Sequence, residues 1–326
     1  MKKLILFLFI LTIASVCYGQ QTQRQHHQQQ PQDPFRLHTL TDNLYALYGR
    51  GGNIGIFIGP DSVLVIDSQY RELAPGIVEK IKTVTDKPIK YLVNTHHHAD
   101  HVGGNEFFIR FAVIIAHDNV RKRVLESPQR ILAEFPERLE AAKKAGNADS
   151  VKWIEEQIAW AKKIKIKEIA APFLTFDSEF RLHLGGETIH IWHTPPAHTD
   201  GDGVAYFEKA KVVHMGDLFF HKIIPRIDAK GGGSAQGYLT AIDQVISRIP
   251  PDTRIIPGHG EVTDINGLKT ARQFIQDLND AAAKAKAAGK SKEAFVQEID
   301  LPAYKDWNGY ATRFKEDAGV AYDEAK

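Results

Sequence analysis

Cysteine is almost absent from this chain of 326 residues, because the one example, Cys17, lies in the apolar N-terminal segment. If a processing cut follows Gly19, the remaining protein contains no cysteine at all. Such a protein forms no disulfide bond, and no thiolate can bind a metal ion in it. Any metal site in the mature chain must therefore use histidine and carboxylate side chains.

An excess of charge of either sign is also lacking. The chain has 41 basic and 40 acidic residues, which gives a formal net charge of +1. This balance provides no long-range field to attract nucleic acid or an anionic membrane surface, so we expect neither as a partner. The contents of 43% hydrophobic and 25% charged residues are those of an ordinary globular protein.

Long apolar runs are confined to the N-terminus. Lys2 and Lys3 precede an apolar stretch at residues 4–16, and small residues lead to a cleavage position after Gly19. The stretch is too short to span a bilayer as a helix. Residues 1–19 are therefore predicted to be a secretory signal peptide, and the mature protein to be periplasmic or secreted without stable membrane insertion.

A retained anchor is the alternative interpretation of this N-terminal segment. Lipidation of Cys17 is disfavoured because Val16 is a poor residue to precede a lipid-modified cysteine. Residues 20–34 are rich in glutamine and histidine, which predicts a disordered leader. The folded part is predicted to be a single domain at residues 35–326.

The pattern of apolar residues predicts an α/β fold with two β-rich halves. Short β-branched runs separated by glycine, proline and aspartate turns follow residue 35, and a buried strand is predicted at residues 89–93. A second β-rich half is predicted from Phe173, followed by helices up to a helical C-terminal tail. Two such halves predict a four-layer αββα sandwich. Residues 127–167 are predicted to be a helical insertion that packs an apolar face on the body, with a lid or a dimer contact as alternatives.

A dense group of metal-ligand side chains directly follows the strand predicted at residues 89–93. His96, His98, Asp100 and His101 have the spacing H-x-H-x-D-H, and a Gly-Gly turn closes the segment. Zinc prefers imidazole and carboxylate ligands, and so dense a cluster can bind two metal ions. A solvated surface loop is the alternative, and it does not explain four donors within six residues.

Three more donors follow at predicted strand ends. His198 lies in Pro-Pro-Ala-His-Thr-Asp-Gly, Asp217 in Met-Gly-Asp-Leu and His259 in Pro-Gly-His-Gly. Strand-to-loop transitions are the usual place of site residues in open α/β folds. A single residue of this kind is more often structural, but three in this order downstream of the histidine motif indicate a metal site.

In these residues the chain resembles the metallo-β-lactamase superfamily, over residues 37–263. The resemblance includes Asp67, which follows the strand predicted at residues 63–66. It implies two Zn²⁺ per chain, each bound by three side chains, with one aspartate shared between them. The implied ligands of the first ion are His96, His98 and His198. Those of the second ion are Asp100, His101 and His259, and Asp217 is implied to bind both ions.

The resemblance implies a zinc-dependent hydrolase of a small-molecule β-lactam, lactone or thioester, in which a metal-bridging hydroxide attacks a carbonyl. Asp100 is the implied catalytic residue, which holds the second metal and orients the nucleophile. The lactamase branch with a cysteine ligand is disfavoured, because Asp217 and Phe220 stand where that branch has its cysteine and a substrate-binding lysine. The alternatives are a mononuclear iron oxygenase of the same fold and a β-lactamase-like protein without lactamase activity.

Other residues near the motifs are candidates for supporting roles. His221 and Lys222 follow the implied bridging aspartate and are candidates for substrate binding, Lys222 as a carboxylate anchor. His97 is expected to point away from its two neighbouring histidines, and either to support a metal ligand from outside or to be structural. The glycine run at residues 231–233 is predicted to be a flexible loop over the cleft. Three residues are candidates for orienting the metal-binding imidazoles: Asp67, Thr95 and Asp200.

Overall fold

A computed structural model describes residues 33–165 and 168–326 of the chain. The predicted signal peptide at residues 1–19 and residues 20–32 of the predicted leader lie outside the described residues. Residues 34–326 make up one unit. Within the described part, the helices are too short or too polar to cross a membrane.

The first sheet contains seven strands of the described chain, and they lie side by side in chain order. Its strands are β1 (Arg36–Thr41), β2 (Leu44–Tyr48), β3 (Ile54–Ile58), β4 (Val63–Ile66), β5 (Ile89–Val93), β6 (Val113–His117) and β7 (Leu174–Phe176). Strands β1 to β4 form an antiparallel meander, and β4 to β7 pair in parallel. The continuous apolar runs of β4 and β6 suit parallel strands that are covered on both faces.

The second sheet contains five strands of the described chain in the order β12-β11-β10-β9-β8. Its strands are β8 (Glu179–Leu184), β9 (Glu187–His193), β10 (Gly203–Phe207), β11 (Val212–His214) and β12 (Arg254–Ile256). Neighbours pair antiparallel except β11 and β12, which are parallel. Apolar side chains of the two sheets meet between them, as in the contact of the Phe57 and Phe207 rings, whose centroids are 5.5 Å apart.

Helices cover the outer faces of both sheets. They are α1 (Ala74–Lys82), α2 (Ala99–Val102), α3 (Asn105–Phe108), α4 (Asp118–Lys144), α5 (Ala148–Lys163), α6 (Ala235–Arg248), α7 (Ile265–Ala287), α8 (Lys292–Glu298) and α9 (Phe314–Glu324). Helix α1 buries Ile77 and Ile81 against the first sheet, and α6, α7 and α9 share a core with the second sheet. The predicted αββα sandwich with a helical C-terminal region is thus confirmed.

The boundary between the two β-rich halves differs from the prediction. Strand β7 follows Phe173, but it pairs in parallel with β6, where Thr175 lies opposite Ala116. The second sheet therefore begins at Glu179, with β8. The sequence of β7 does not reveal this, because a three-residue strand carries no information about its partner.

The helical insertion also begins earlier than the predicted residue 127. Helix α4 starts at Asp118, where the His117 side chain accepts a hydrogen bond from the backbone N–H of Asn119. Pro128 lies inside this helix and has no N–H to donate to the carbonyl of Val124. The hydroxyl of Ser127 donates to that carbonyl instead, with an Oγ–O distance of 2.7 Å. The helix continues through the proline because this carbonyl keeps a partner.

The sheet topology brings several strand ends to one edge. Parallel pairing places the carboxyl ends of β4, β5 and β6 together, and the parallel pair β11 and β12 does the same in the second sheet. The loop between β9 and β10 lies at the matching end of the second sheet, because both strands pair antiparallel there. All of the predicted metal ligands follow these strand ends.

Candidate metal centre

The seven predicted donors come from four chain segments and meet at this shared edge. Two groups of them each bring their ligand atoms within 4.8 Å of one another. The first group contains His96, His98, His198 and Asp217, and the second contains Asp100, His101 and His259. The four-residue helix α2 carries Asp100 and His101, and His98 immediately precedes it in extended conformation. The change from extended backbone at His98 to helix at Asp100 directs these two residues of the motif to different groups.

Asp217 lies between the two groups and presents one oxygen to each. Its Oδ2 is 3.3 Å from Nε2 of His198, in the first group. Its Oδ1 is 3.1 Å from Nε2 of His101 and 3.4 Å from Nε2 of His259, in the second group. The Asp217 side chain is buried, and its position between the groups is that of a bridging ligand.

Several buried ligand atoms of the centre have no hydrogen-bond partner among the described residues. They include Nε2 of His96, and also Nε2 of His101 and Oδ1 of Asp217, which lie 3.1 Å apart but not in hydrogen-bond geometry. Buried polar atoms are nearly always hydrogen-bonded, since an unpaired one costs free energy of desolvation. Orphaned nitrogen and oxygen atoms that converge on shared points therefore fit bound metal ions of the kind that imidazole and carboxylate prefer.

His96 and His98 of the first group are suited to offer a lone pair at neutral pH. Burial, reinforced by the nearby charge of His101, lowers the pKa of His96 well below its ordinary value. Burial also lowers the pKa of His98 to about 4, although a hydrogen bond to Asp228 opposes this shift. Both rings are therefore neutral at pH 7, which is the form that binds metal.

The second group has a different charge balance. Burial alone lowers the pKa of His101 and His259, but the carboxylates of Asp217 and Asp100 outweigh it in both cases. They raise the pKa of His259 to about 9. Conversely, burial alone raises the pKa of Asp217, but the surrounding imidazoles, His101 first, hold it well below the ordinary value. Without metal, protons on these imidazoles balance the carboxylates.

The ring nitrogens that face away from the centre have partners of their own. Nδ1 of His101 lies 2.7 Å from Oδ2 of Asp67, and Nε2 of His98 lies 2.7 Å from Oδ2 of Asp228. Nδ1 of His198 hydrogen-bonds to the carbonyl of Arg226. Such outer contacts fix the tautomer and the orientation of a metal-binding imidazole.

The family to which the chain belongs is shown by a match to a protein-family profile. The profile of the Metallo-beta-lactamase superfamily matches residues 47–259, which include both donor groups. The chain belongs to the metallo-beta-lactamase superfamily. The resemblance seen in the sequence is thereby confirmed at the level of the superfamily.

Individual relatives match shorter parts of this superfamily member. An uncharacterized protein of Mycobacterium leprae is 32% identical over 100 residues, which cover 30% of this chain and 44% of the relative. The hydroxyacylglutathione hydrolase of Nostoc punctiforme is 29% identical over 109 residues, or 33% of this chain and 38% of the relative. The matched part spans less than half of either relative.

The superfamily fold also appears in solved structures. The sec-alkylsulfatase Pisa1 from Pseudomonas sp. superposes with a TM-score of 0.68 and 17% sequence identity. The match covers 89% of this chain and 50% of the alkylsulfatase chain. Identity at this level shows a shared fold.

Two of the three residues predicted to orient the imidazoles contact the predicted metal ligands. Asp67 accepts hydrogen bonds from both the backbone N–H and the hydroxyl of Thr95, at 2.8 Å each. Oγ1 of Thr95 in turn lies 3.1 Å from Nδ1 of His96. Asp67 has a φ of 66°, a left-handed conformation that is strained for a residue with a side chain and is concentrated at functional sites. One carboxylate thus contacts His101 directly and His96 through Thr95.

The third residue predicted to orient an imidazole, Asp200, does not contact the donors. Its carboxylate binds the guanidinium of Arg123, with an Oδ2–Nη2 distance of 2.6 Å. The residue that contacts His98 is Asp228, which sequence reasoning missed. Asp228 is 130 positions away from His98 and lies in a short turn, where its side chain accepts from Gly231 N. Only its place beside the glycine run distinguishes it from other turn aspartates.

The glycine run at residues 231–233 was predicted to be a flexible loop, but in the structure it is closely packed. A Cβ atom at Gly233 would lie 2.4 Å from the carbonyl oxygen of His198. Gly232 has a φ of +80°, and its Cβ position lies 2.7 Å from Cβ of Asp200. The run therefore supports the His198 loop directly, and glycine is required there for close approach.

The two residues predicted to bind substrate, His221 and Lys222, have other surroundings in the structure. Nδ1 of His221 lies 2.8 Å from the carbonyl oxygen of Glu261, and Lys222 is exposed. Phe220, just before them, stacks on the His259 ring with a centroid distance of 5.2 Å. These contacts favour a role for Phe220 in holding His259 over a role for its two neighbours in substrate binding.

A third group of potential ligands contains His97, His98 and Asp228. Here Nη1 of Arg130 lies 3.4 Å from Nε2 of His97 and 3.8 Å from Oδ2 of Asp228. A guanidinium already neutralises this carboxylate, and His98 directs its other nitrogen to the first group. We therefore assign these residues to the support of His98 and not to a further metal site.

Replacing Asp228 with alanine is expected to lower metal affinity or turnover by about 10- to 100-fold. The His98 ring would lose the acceptor that holds its Nε2–H, 2.7 Å from the Asp228 carboxylate. Metal titration and initial rates measure the effect. The matched control is Asp200→Ala, which removes a neighbouring carboxylate that contacts no donor imidazole. Equal losses in the two variants would contradict the assigned role of Asp228.

Gly258 lies in close contact with Asp217. A Cβ atom at Gly258 would lie 2.1 Å from Oδ1 of Asp217. Gly258→Ala is therefore expected to displace this carboxylate and to lower kcat by about 100-fold, as displacements near 1 Å do at a reacting centre. Gly203→Ala is the control, because the nearest atom to its Cβ is 3.5 Å away. Unchanged kcat in Gly258→Ala would show that Asp217 is not held in this position.

Proposed function

We propose that the protein is a dinuclear zinc hydrolase that cleaves a lactone, thioester or β-lactam carbonyl bond. The position of Asp217, with one oxygen toward each donor group, carries this proposal. His96, His98 and His198 would hold one ion, and Asp100, His101 and His259 the other. When bound, such a pair lowers the pKa of water toward neutrality and provides the nucleophile for carbonyl attack.

The exposure of the donors supports catalysis over a structural role. His101 and His198 are fully buried, whereas Asp100 is 22% exposed and His259 is 26% exposed. The centre is therefore open on the side of Asp100. Structural zinc sites are closed, whereas catalytic sites keep an open position. A substrate would reach the centre beside Asp100, and this carboxylate is placed to orient a water molecule and accept its proton.

The donor set favours a hydrolytic zinc pair over a mononuclear iron oxygenase. Both groups of donors are complete, and His98 offers imidazole to the first group. A mononuclear centre would use only one of these two groups, whereas a pair of zinc ions uses both, with Asp217 between them. The name of the Nostoc relative, hydroxyacylglutathione hydrolase, supports including thioesters among the substrates.

The proposal is tested with purified protein loaded with zinc. Metal analysis is expected to give about two zinc ions per chain, and a panel of nitrocefin, lactones and thioesters is expected to reveal one hydrolysed class. Chelation should abolish this activity and added zinc restore it. Asp100→Ala should lower turnover by orders of magnitude, whereas His190→Gln, which removes a surface contact to Glu208, should not. One iron per chain, or no hydrolysis by the fully loaded protein, would overturn the proposal.

A further inference from the structure

A cavity of about 270 Å³ lies between the α4–α5 hairpin and the loop that carries the histidine motif. Aliphatic and aromatic side chains from both sides form much of its wall. They include Val102, Val124, Ile131, Phe135, Trp153 and Trp160. Binding pockets for small molecules combine such an apolar wall with a few polar groups.

Contacts between the lining side chains hold the wall of the cavity in place. The indole N–H of Trp160 donates to Oε1 of Glu106 at 2.7 Å, and Glu106 also pairs with Arg71. The ring of Trp153 meets the ring of Tyr70 edge to face, with a centroid distance of 6.1 Å. Because these aromatic rings are already held, a ligand that enters the cavity loses little free energy in ordering them.

The cavity shares a wall with the candidate metal centre. His97 and Ala99, which line it, alternate along the chain with the donors His96, His98 and Asp100. Val102 and Gly103, which directly follow the donors Asp100 and His101 along the chain, also line it. The cavity therefore lies directly beside the motif loop, next to Asp100, where the centre is open.

We propose that this cavity binds a hydrocarbon group of the substrate while the bond to be cleaved lies at the metal centre. This proposal rests on the proposed hydrolase function, and it names the substrate class as one with an extended alkyl group. A cavity of about 150 Å³ accommodates benzene. The cavity here, at about 270 Å³, accommodates a longer hydrocarbon group. Arg71, Glu106 and Arg130 also line the cavity. Arg71 and Glu106 pair with each other, so these two groups do not need a polar partner from the ligand.

The dependence of rate on chain length is the first measurement. Burial of each methylene group is expected to raise kcat/KM about fourfold until the cavity is full. A series of substrates of the hydrolysed class, with straight alkyl groups of two to ten carbons, tests this. A kcat/KM that does not change with chain length would overturn the proposal, whereas hydrolysis itself would still support the metal centre.

Two neighbouring residues of α4 provide a matched pair of variants. Ile131 lines the cavity, whereas Leu132 is 40% exposed on the outer side of the hairpin. Ile131→Phe is expected to fill part of the cavity, shorten the preferred chain and lower kcat/KM for the longest substrate at least tenfold. Ile131→Ala is expected to lengthen the preferred chain. Leu132→Phe should leave the profile unchanged, and equal effects of the two phenylalanine variants would overturn the proposal.

A binding measurement separates the cavity from the chemistry. The probe is 1-octanol, which has no bond to hydrolyse, and the signal is the fluorescence of Trp153 and Trp160 in zinc-loaded protein. Saturable binding is expected for wild type and Leu132→Phe, with at least fivefold weaker binding for Ile131→Phe. If octanol binds in this pattern but no substrate is hydrolysed, the cavity is retained and the hydrolase function fails. Absence of saturable binding to folded protein would overturn the cavity proposal.

Discussion

Replacing Asp217 with asparagine is expected to remove nearly all hydrolytic activity, although the two side chains have almost the same shape. The carboxylate approaches His198 with one oxygen and His101 and His259 with the other, at 3.1–3.4 Å. An amide carries no negative charge and presents an NH₂ group to one of the two donor groups. It therefore cannot offset the charges of two cations or bind both of them.

The expected loss for Asp217→Asn is larger than for Asp228→Ala. Loss of a partner outside the ligand set costs about 10- to 100-fold, and loss of a shared ligand should exceed this. Metal analysis after gel filtration should show fewer than two ions per chain, together with kcat reduced by orders of magnitude. Asp243→Asn, which removes a surface carboxylate paired with Arg272, is the control. Two bound ions and wild-type kcat in Asp217→Asn would contradict the bridging role.

The sequence predicts the fold class and the meeting of the donors because both depend on local signals. Apolar runs mark the strands, and each donor follows a strand end beside glycine, proline or aspartate. In a layered α/β fold, such strand ends meet at one edge. His198, Asp217 and His259 could therefore be grouped with the histidine motif although they lie more than 90 residues further along the chain.

Contacts between distant loops could not be predicted in this way. The pairing of His98 with Asp228 joins the histidine loop to a turn that has no periodic pattern. Asp200 is a better candidate from sequence, because it follows His198 closely, but Arg123 of α4 binds its carboxylate. The difference depends on where the long helix α4 lies, and no local feature of either aspartate encodes that position.

Asp67 shows how one residue can position both donor groups. Its Oδ2 lies 2.7 Å from Nδ1 of His101 and 2.8 Å from the hydroxyl of Thr95, which contacts His96. His96 belongs to the first group and His101 to the second. A single buried carboxylate therefore fixes the relative orientation of the two groups, as the proposed pair of metal ions would require.

A buried carboxyl group at the C-terminal helix leads to the second large prediction. Asp317 of α9 is buried, and its Oδ1 accepts a hydrogen bond from the backbone N–H of Ile227 at 3.0 Å. Its Oδ2 has no hydrogen-bond partner among the described residues. Burial raises the pKa of Asp317 to about 8, despite the hydrogen bond from Ile227 and the charges of Arg313 and Arg226. The folded protein thus holds a proton on this group that the unfolded chain releases near pH 4.

This difference makes the free energy of unfolding depend on pH. Between about pH 4 and pH 8 the folded state binds one more proton at Asp317 than the unfolded state does. The contribution of this group to stability is therefore complete below pH 4 and decreases as the pH rises, by up to about 1.4 kcal/mol per pH unit. Above the folded pKa the decrease ends, because the group is then charged in both states.

Asp317→Asn is expected to remove this dependence, because the amide stays neutral and its oxygen can still accept from the Ile227 N–H. The variant should gain stability relative to wild type as the pH rises from 5 to 8, with a constant difference above that range. Denaturant unfolding of zinc-loaded protein measures the difference at each pH, and contributions common to both proteins cancel. Glu155→Gln, at an exposed position on α5, is the control for the loss of one negative charge. A difference that stays flat from pH 5 to pH 8 would show that Asp317 is already charged in the folded protein.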